Sequence, residues 1–131
     1  MAEKKTILSI DDDTMTLKVV TALLSSEYNL QISKSAADAL ILMDKHSPDL
    51  ILLDIEMPDI SGFEFLHSIK KNPKFMNIPV VIVSGHYETE FLIHAEHNGA
   101  SAVVAKPIEK DDLHKKITFA FENPGKSFKG L

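Results

Sequence analysis

The sequence contains no cysteine. That excludes disulfides and thiolate metal sites, and it agrees with a reducing, cytoplasmic setting. A basic excess is missing as well, since 14 lysines and arginines face 19 aspartates and glutamates for a formal net charge of −5. Nucleic acid is therefore not expected as a direct partner, because phosphate binding needs a basic patch and none is visible. The longest apolar runs are far too short to span a bilayer, so no membrane role is expected. Nothing at Met1-Ala2-Glu3-Lys4-Lys5 resembles a signal peptide, because only five residues follow before Asp11. Linkers, internal repeats and low-complexity stretches are absent too. What is present is ordinary for a soluble domain: 131 residues, 44% hydrophobic and 25% charged. A chain of that size and composition buries a core of its own and is not disordered.

Five short apolar runs alternate with helical patterns. Thr6 to Ile10, Tyr28 to Ser33, Leu50 to Leu53, Val80 to Val83 and Ala102 to Val104 are the strand candidates. The third and fourth are apolar on consecutive residues, the pattern of strands covered by helices on both faces, so a mainly parallel sheet is expected. Helices are expected at Thr14 to Ser26, Ala36 to Lys45, Phe63 to Lys71, Tyr87 to Asn98 and Lys110 to Glu122. Ser35 is a good N-cap, and Gly99 suits the left-handed turn that closes a helix. The first helix carries Leu17, Val20 and Leu24 on one face, and the last carries Leu113, Ile117 and Phe121. The pattern is an α/β doubly wound sheet with five helices. The domain is placed at residues 1–122, followed by a tail at 123–131 that reads as loose from Gly125 onward.

In such a sheet, ligands bind beyond the carboxyl ends of the strands, where the winding reverses. The residues at those ends are therefore informative. The first strand runs into Asp11-Asp12-Asp13, the third into Asp54, the fourth into Ser84, and the fifth into Lys106 just past Ala105. Ser33 and Lys34 end the second strand without an obvious role. One edge thus gathers carboxylates, a hydroxyl and an ammonium. Crowded carboxylates raise one another's pKa unless a cation sits among them. An all-oxygen donor set favours a hard cation such as Mg²⁺. A carboxylate in that setting can attack a phosphoryl group, whose oxygens a lysine and a hydroxyl would then stabilise.

Four pieces in this order resemble the signatures of response-regulator receiver domains of two-component signalling. They are Ile10-Asp11-Asp12, Leu53-Asp54-Ile55-Glu56-Met57-Pro58, Val83-Ser84-Gly85 and Ala105-Lys106-Pro107, and the likeness extends over residues 5–122. The resemblance implies a flavodoxin-like sheet of order 2-1-3-4-5. It implies that Asp54 is the phosphoacceptor, supplied by a sensor histidine kinase or phosphotransfer protein. It implies Mg²⁺ held by Asp12, Asp54 and the backbone carbonyl of Glu56, with Asp11 helping through water. Ser84 and Lys106 would bind phosphoryl oxygens, and the Lys106-Pro107 bond would be cis. A downstream protein or a fused output domain would read the switch. The chain is then a free-standing receiver or a part of a longer protein, and no stretch of it reads as DNA-binding. Two positions depart from the pattern: Ser61 stands where the family often has Asp, and Val103 replaces an aromatic residue on the fifth strand.

Other readings compete. A haloacid-dehalogenase-like Mg²⁺-dependent phosphohydrolase would use a similar set, but its nucleophile lies on the first strand, and Asp54 would go unexplained. A flavin-binding protein needs a small polar phosphate loop after the first strand, where Asp11-Asp12-Asp13 would repel phosphate. Asp13 is read as the N-cap of the first helix, with Thr14 competing. His94 and His97 share a helix face but lack a third ligand, so a solvated face is expected rather than zinc. His86 is placed at the pocket rim. Leu92, Val103 and Phe119 form either an exposed apolar patch or a partly packed edge of the core.

Overall fold

The computed structural model describes residues 3–129. Five strands, β1 (Thr6–Ile10), β2 (Asn29–Ser33), β3 (Leu50–Asp54), β4 (Val80–Ser84) and β5 (Ala102–Ala105), form one parallel sheet of order β2-β1-β3-β4-β5. Between and after them run α1 (Thr14–Leu24), α2 (Ala36–Lys45), α3 (Gly62–Lys71), α4 (Thr89–His97) and α5 (Lys110–Glu122). This is the expected doubly wound fold. α1 and α5 cover one face of the sheet, where Val20, Leu24, Leu113 and Ile117 meet Ile7, Leu52 and Val104. The other face belongs to α2, α3 and α4, with Met43, Phe65, Leu66 and Ala95 against Leu8, Ile51, Leu53 and Ile82.

The consecutive apolar reading of the central strands has the expected cause. Every residue of β3 and β4 is buried, which for each Leu, Ile or Val stabilises the fold by about 1.5–3 kcal/mol over exposure. Asp54 and Ser84 are the last residues of those strands. They are carried into the interior by the strand geometry and not by their own hydropathy.

Element ends differ from expectation where local hydrogen bonding decides. α1 stops at Leu24, because Glu27 and Tyr28 N–H groups both return to the Leu24 carbonyl and end the helix. α4 begins two residues late, since Glu88 is extended and has no side-chain cap bond. Asp13, not Thr14, caps α1: its carboxylate accepts from the Met15 N–H at 3.1 Å and from the Thr16 hydroxyl at 3.0 Å. Gly99 takes φ +93°, the left-handed turn expected of it.

The segment after α5 is not loose over the described residues. The Phe128 N–H donates to the Ser101 carbonyl at 2.7 Å and the Ser127 hydroxyl to the Ala100 carbonyl at 2.7 Å. Lys129 Nζ meets Glu96 at 2.7 Å. Residues 130–131 lie outside the description. The Phe128 ring packs edge-on against Phe119 at 5.2 Å between centroids, so the Leu92, Val103 and Phe119 surface is not an open patch. Val103 is buried, and Leu92 and Phe119 are half-buried.

Candidate functional site

The register places the chemistry. Ile10 lies opposite Leu53, so Asp11 and Asp54 follow side by side at the tips of adjacent strands. Lys106 leaves β5, two strands from β3 or about 10 Å laterally at the usual spacing, and only a long side chain crosses that gap. Its Nζ reaches Asp11 Oδ2 at 3.1 Å and Asp54 Oδ1 at 3.5 Å. The Lys106 N–H is fixed below it by the Ser84 carbonyl at 2.8 Å, so lysine and serine are held as one unit. The Lys106-Pro107 peptide is cis. Asp11, Asp12, Asp54, Glu56, Ser84 and Lys106 line one cleft together with Asp13, Met57 and Ser61.

Asp11 is 2% exposed and Asp54 6%, while Asp12 is open to solvent. Asp11 is kept in place by the Asp13 N–H at 2.9 Å, and Asp54 by the Glu56 N–H at 3.3 Å. Burial, and then the charge of Asp11, push the Asp54 carboxyl up to about 6, with Lys106 and the Glu56 N–H pulling the other way. Burial alone would lower the Lys106 ammonium, but its bond to Asp11 and the charges of Asp11 and Asp54 outweigh this and raise it. One ammonium thus serves two buried carboxylates. Carboxylate oxygens of Asp11, Asp12 and Asp54 lie within 4.8 Å of one another, the one such grouping of three among the described residues. Three crowded oxygens, one of them on a carboxyl that is hard to ionise, fit a hard divalent cation.

Ser84 is 4% exposed, and its hydroxyl oxygen accepts from the His86 N–H at 2.9 Å. His86 is at the rim as expected, with Nε2 3.0 Å from Glu56 Oε1 across the cleft mouth. His94 and His97 are exposed, and among the described residues neither belongs to a grouping of three metal-capable side chains; His94 packs edge-on against Phe63 at 4.4 Å.

Sequence reasoning missed two supports. Gly62 is required sterically: a Cβ there would lie 2.5 Å from Ile55 Cα and 2.6 Å from the Asp54 carbonyl oxygen. The loop after β3 folds back onto its own strand end, with the Gly62 N–H on the Ile55 carbonyl at 2.7 Å. Asp59 in that loop accepts from the N–H groups of Ala36 and Ala37 at 3.3 and 3.0 Å, and these bonds hold its carboxyl below the usual range. The loop carrying Glu56 is thereby pinned to the N-terminus of α2. An aspartate one residue past Met-Pro was the available signal for it.

The response regulator receiver domain model matches residues 7–118, so the chain belongs to the receiver domain family. It is 30% identical over 115 residues to the response regulator Rre1 of Synechocystis, covering 86% of this chain and 50% of that protein. The chain therefore spans half of Rre1's length. A CheY-like receiver domain protein from Methanospirillum hungatei superposes with a TM-score of 0.81 at 30% identity, covering 92% of this chain and 95% of the other. The Mn²⁺-bound form of response regulator Rcp1 matches with a TM-score of 0.74 at 25% identity, over 91% and 93%. Among the described residues, no helix is long and apolar enough to cross a membrane.

Proposed function

We propose that Asp54 is the phosphoacceptor of a two-component phosphorelay, and that the chain is a switch and not a turnover enzyme. The observation carrying this reading is a buried carboxylate at the tip of β3, set between Asp11 and Lys106 in the cleft that Ser84 also lines. An Asp54 carboxylate oxygen attacks the phosphorus of a phosphohistidine on a sensor kinase or phosphotransfer protein. The P–N bond breaks, its electron pair stays on the imidazole nitrogen, and an acyl phosphate is left on Asp54. Lys106 Nζ, already 3.5 Å from Asp54, neutralises one phosphoryl oxygen. The Ser84 hydroxyl, which accepts from His86 N–H and donates to no group among the described residues, turns its hydrogen to another.

Asp12, Asp54 and the Glu56 carbonyl would hold Mg²⁺ directly, with Asp11 supporting it through water. When bound, it supplies the positive charge that lets Asp54 ionise and offsets the phosphoryl oxygens. Rcp1, in the Mn²⁺-bound form named above, supports a divalent cation here by analogy. The readers would be a downstream protein or a fused output domain, in a cytoplasmic relay without direct nucleic-acid contact.

Acetyl phosphate or phosphoramidate with Mg²⁺ should add one phosphoryl group per chain, read by intact mass as an acid-stable, base-labile label. Asp54→Asn should abolish it. A variant labelled as well as wild type would remove Asp54 from the role. Linear release of phosphate from small esters would favour a phosphohydrolase instead.

A further inference from the structure

Lys116 lies on the buried stripe of α5 beside Leu113, Ile117 and Ala120, and is 3% exposed. An ammonium in that position is costly unless every donor is used. Lys116 Nζ donates to the Tyr87 hydroxyl at 2.6 Å and to the Val103 carbonyl at 2.7 Å, and meets Asp112 Oδ1 at 3.0 Å. Tyr87 is three residues past Ser84, in the loop that leads from the acceptor cleft to α4. Phe128 also approaches Lys116, whose Nζ is 5.6 Å from its ring centroid. Lys115 also lies over Phe128, at 5.3 Å. Tyr87 and Phe128 therefore both approach Lys116, so that the pocket loop and the segment after α5 share one buried cation.

We propose that residues Ser127–Lys129 are a strap that occupies the groove between α4 and α5 beside the edge strand β5, and that Lys116 and Tyr87 couple its docking to the loop following Ser84. The strap satisfies the carbonyls of Ala100 and Ser101 at the entrance of β5, guarding an open sheet edge. It fills the groove incompletely: a cleft of about 260 Å³ remains, lined by Leu92, Ile93, Val103, Lys116, Tyr87 and Phe128. A loosely filled groove lets its occupant leave. When the Ser84 loop moves, Tyr87 moves with it, Lys116 loses a partner, and the cation beside the Phe128 ring is held less firmly. Coupling of this kind is reciprocal, so removing the strap should free the loop. This second direction rests on the acceptor reading; the strap itself does not.

The test uses the full chain with Tyr87→Phe, Phe128→Ala and the double variant. Tyr87→Phe removes only a hydroxyl, so folding is retained. In wild type the Phe128 amide should be protected from hydrogen exchange, and Tyr87→Phe should speed its exchange several-fold. The sum of the two single variants' losses in melting temperature should differ from the loss of the double by roughly 2 °C. An unprotected Phe128 amide, or strictly additive losses with unchanged exchange, overturns the strap. Titration with beryllofluoride and Mg²⁺, followed at the Ser84 and Gly85 amides, tests the link to the cleft. Phe128→Ala should take up the mimic ~5-fold more tightly than wild type; equal uptake overturns the link. If neither chain takes it up while the two substitutions remain coupled, the acceptor reading fails and the strap stands.

Discussion

Asp54→Asn should stabilise the metal-free chain at neutral pH, and the gain should vanish in acid. The folded carboxyl sits at about 6 against an ordinary 3.8, because it is buried beside Asp11. Between those two values the folded state holds a proton that the unfolded chain has released. Folding stability therefore falls as pH rises through that window, and the full penalty is present above it. At about 1.4 kcal/mol per pKa unit, the rise corresponds to about 2–3 kcal/mol. Asparagine keeps the shape and the acceptor for the Glu56 N–H but carries no charge, so it removes the penalty. For a domain of this size the gain is roughly 10 °C in melting temperature. The assay is paired thermal or urea denaturation of wild type and variant in EDTA, from about pH 4 to 7.5. Histidine titrations are common to both chains and cancel in the difference. A difference that stays flat with pH, or wild type gaining on the variant as pH rises, would refute the argument, because the first means an unshifted carboxyl and the second a lowered one.

Three further outcomes are expected. Millimolar Mg²⁺ should raise the wild-type melting temperature by offsetting the crowded carboxylates, and Asp12→Ala should blunt the response; melting curves indifferent to the ion would count against the site. Gly62→Ala should cost about 1–3 kcal/mol in urea unfolding, because the added Cβ meets Ile55 Cα at 2.5 Å and backbone must shift; an unchanged midpoint would mean the loop is not held there. In a chain carrying Phe128→Ala, which removes the strap's own contribution, beryllofluoride and Mg²⁺ should shift amides most at 54–59 and 84–90 and less at Leu92, Val103 and Phe119, because Val103 has no ring to swing. Equally strong shifts along β5 and α5 would show that the valine does not blunt the change.

Local chemistry made much of this protein legible from its residues. Consecutive apolar side chains at Leu50–Leu53 and Val80–Val83 require a strand buried on both faces, and that requirement holds without knowing its neighbours. Ser35 caps α2 and Gly99 turns the chain after α4 for reasons contained within a few residues. Because ligands gather beyond the carboxyl ends of a doubly wound sheet, Asp11, Asp54, Ser84 and Lys106 could be grouped before any distance was known.

The tertiary structure decided what depends on contacts between distant parts of the chain. The elevated Asp54 carboxyl arises because β1 and β3 are neighbours and place Asp11 against it, while Lys106 arrives from two strands away. Asp59 binds the start of α2, more than twenty residues earlier in the chain. Lys116 stands in an apolar stripe yet is tolerated there only because Tyr87, Val103 and Asp112 converge on it. The residues from Gly125 onward read as loose, but the docking of Phe128 depends on the Ser101 carbonyl and the Phe119 ring being free to receive it. Periodicity records which side of a segment is apolar; which polar group a buried charge or an unpaired carbonyl will meet is settled only when the elements pack.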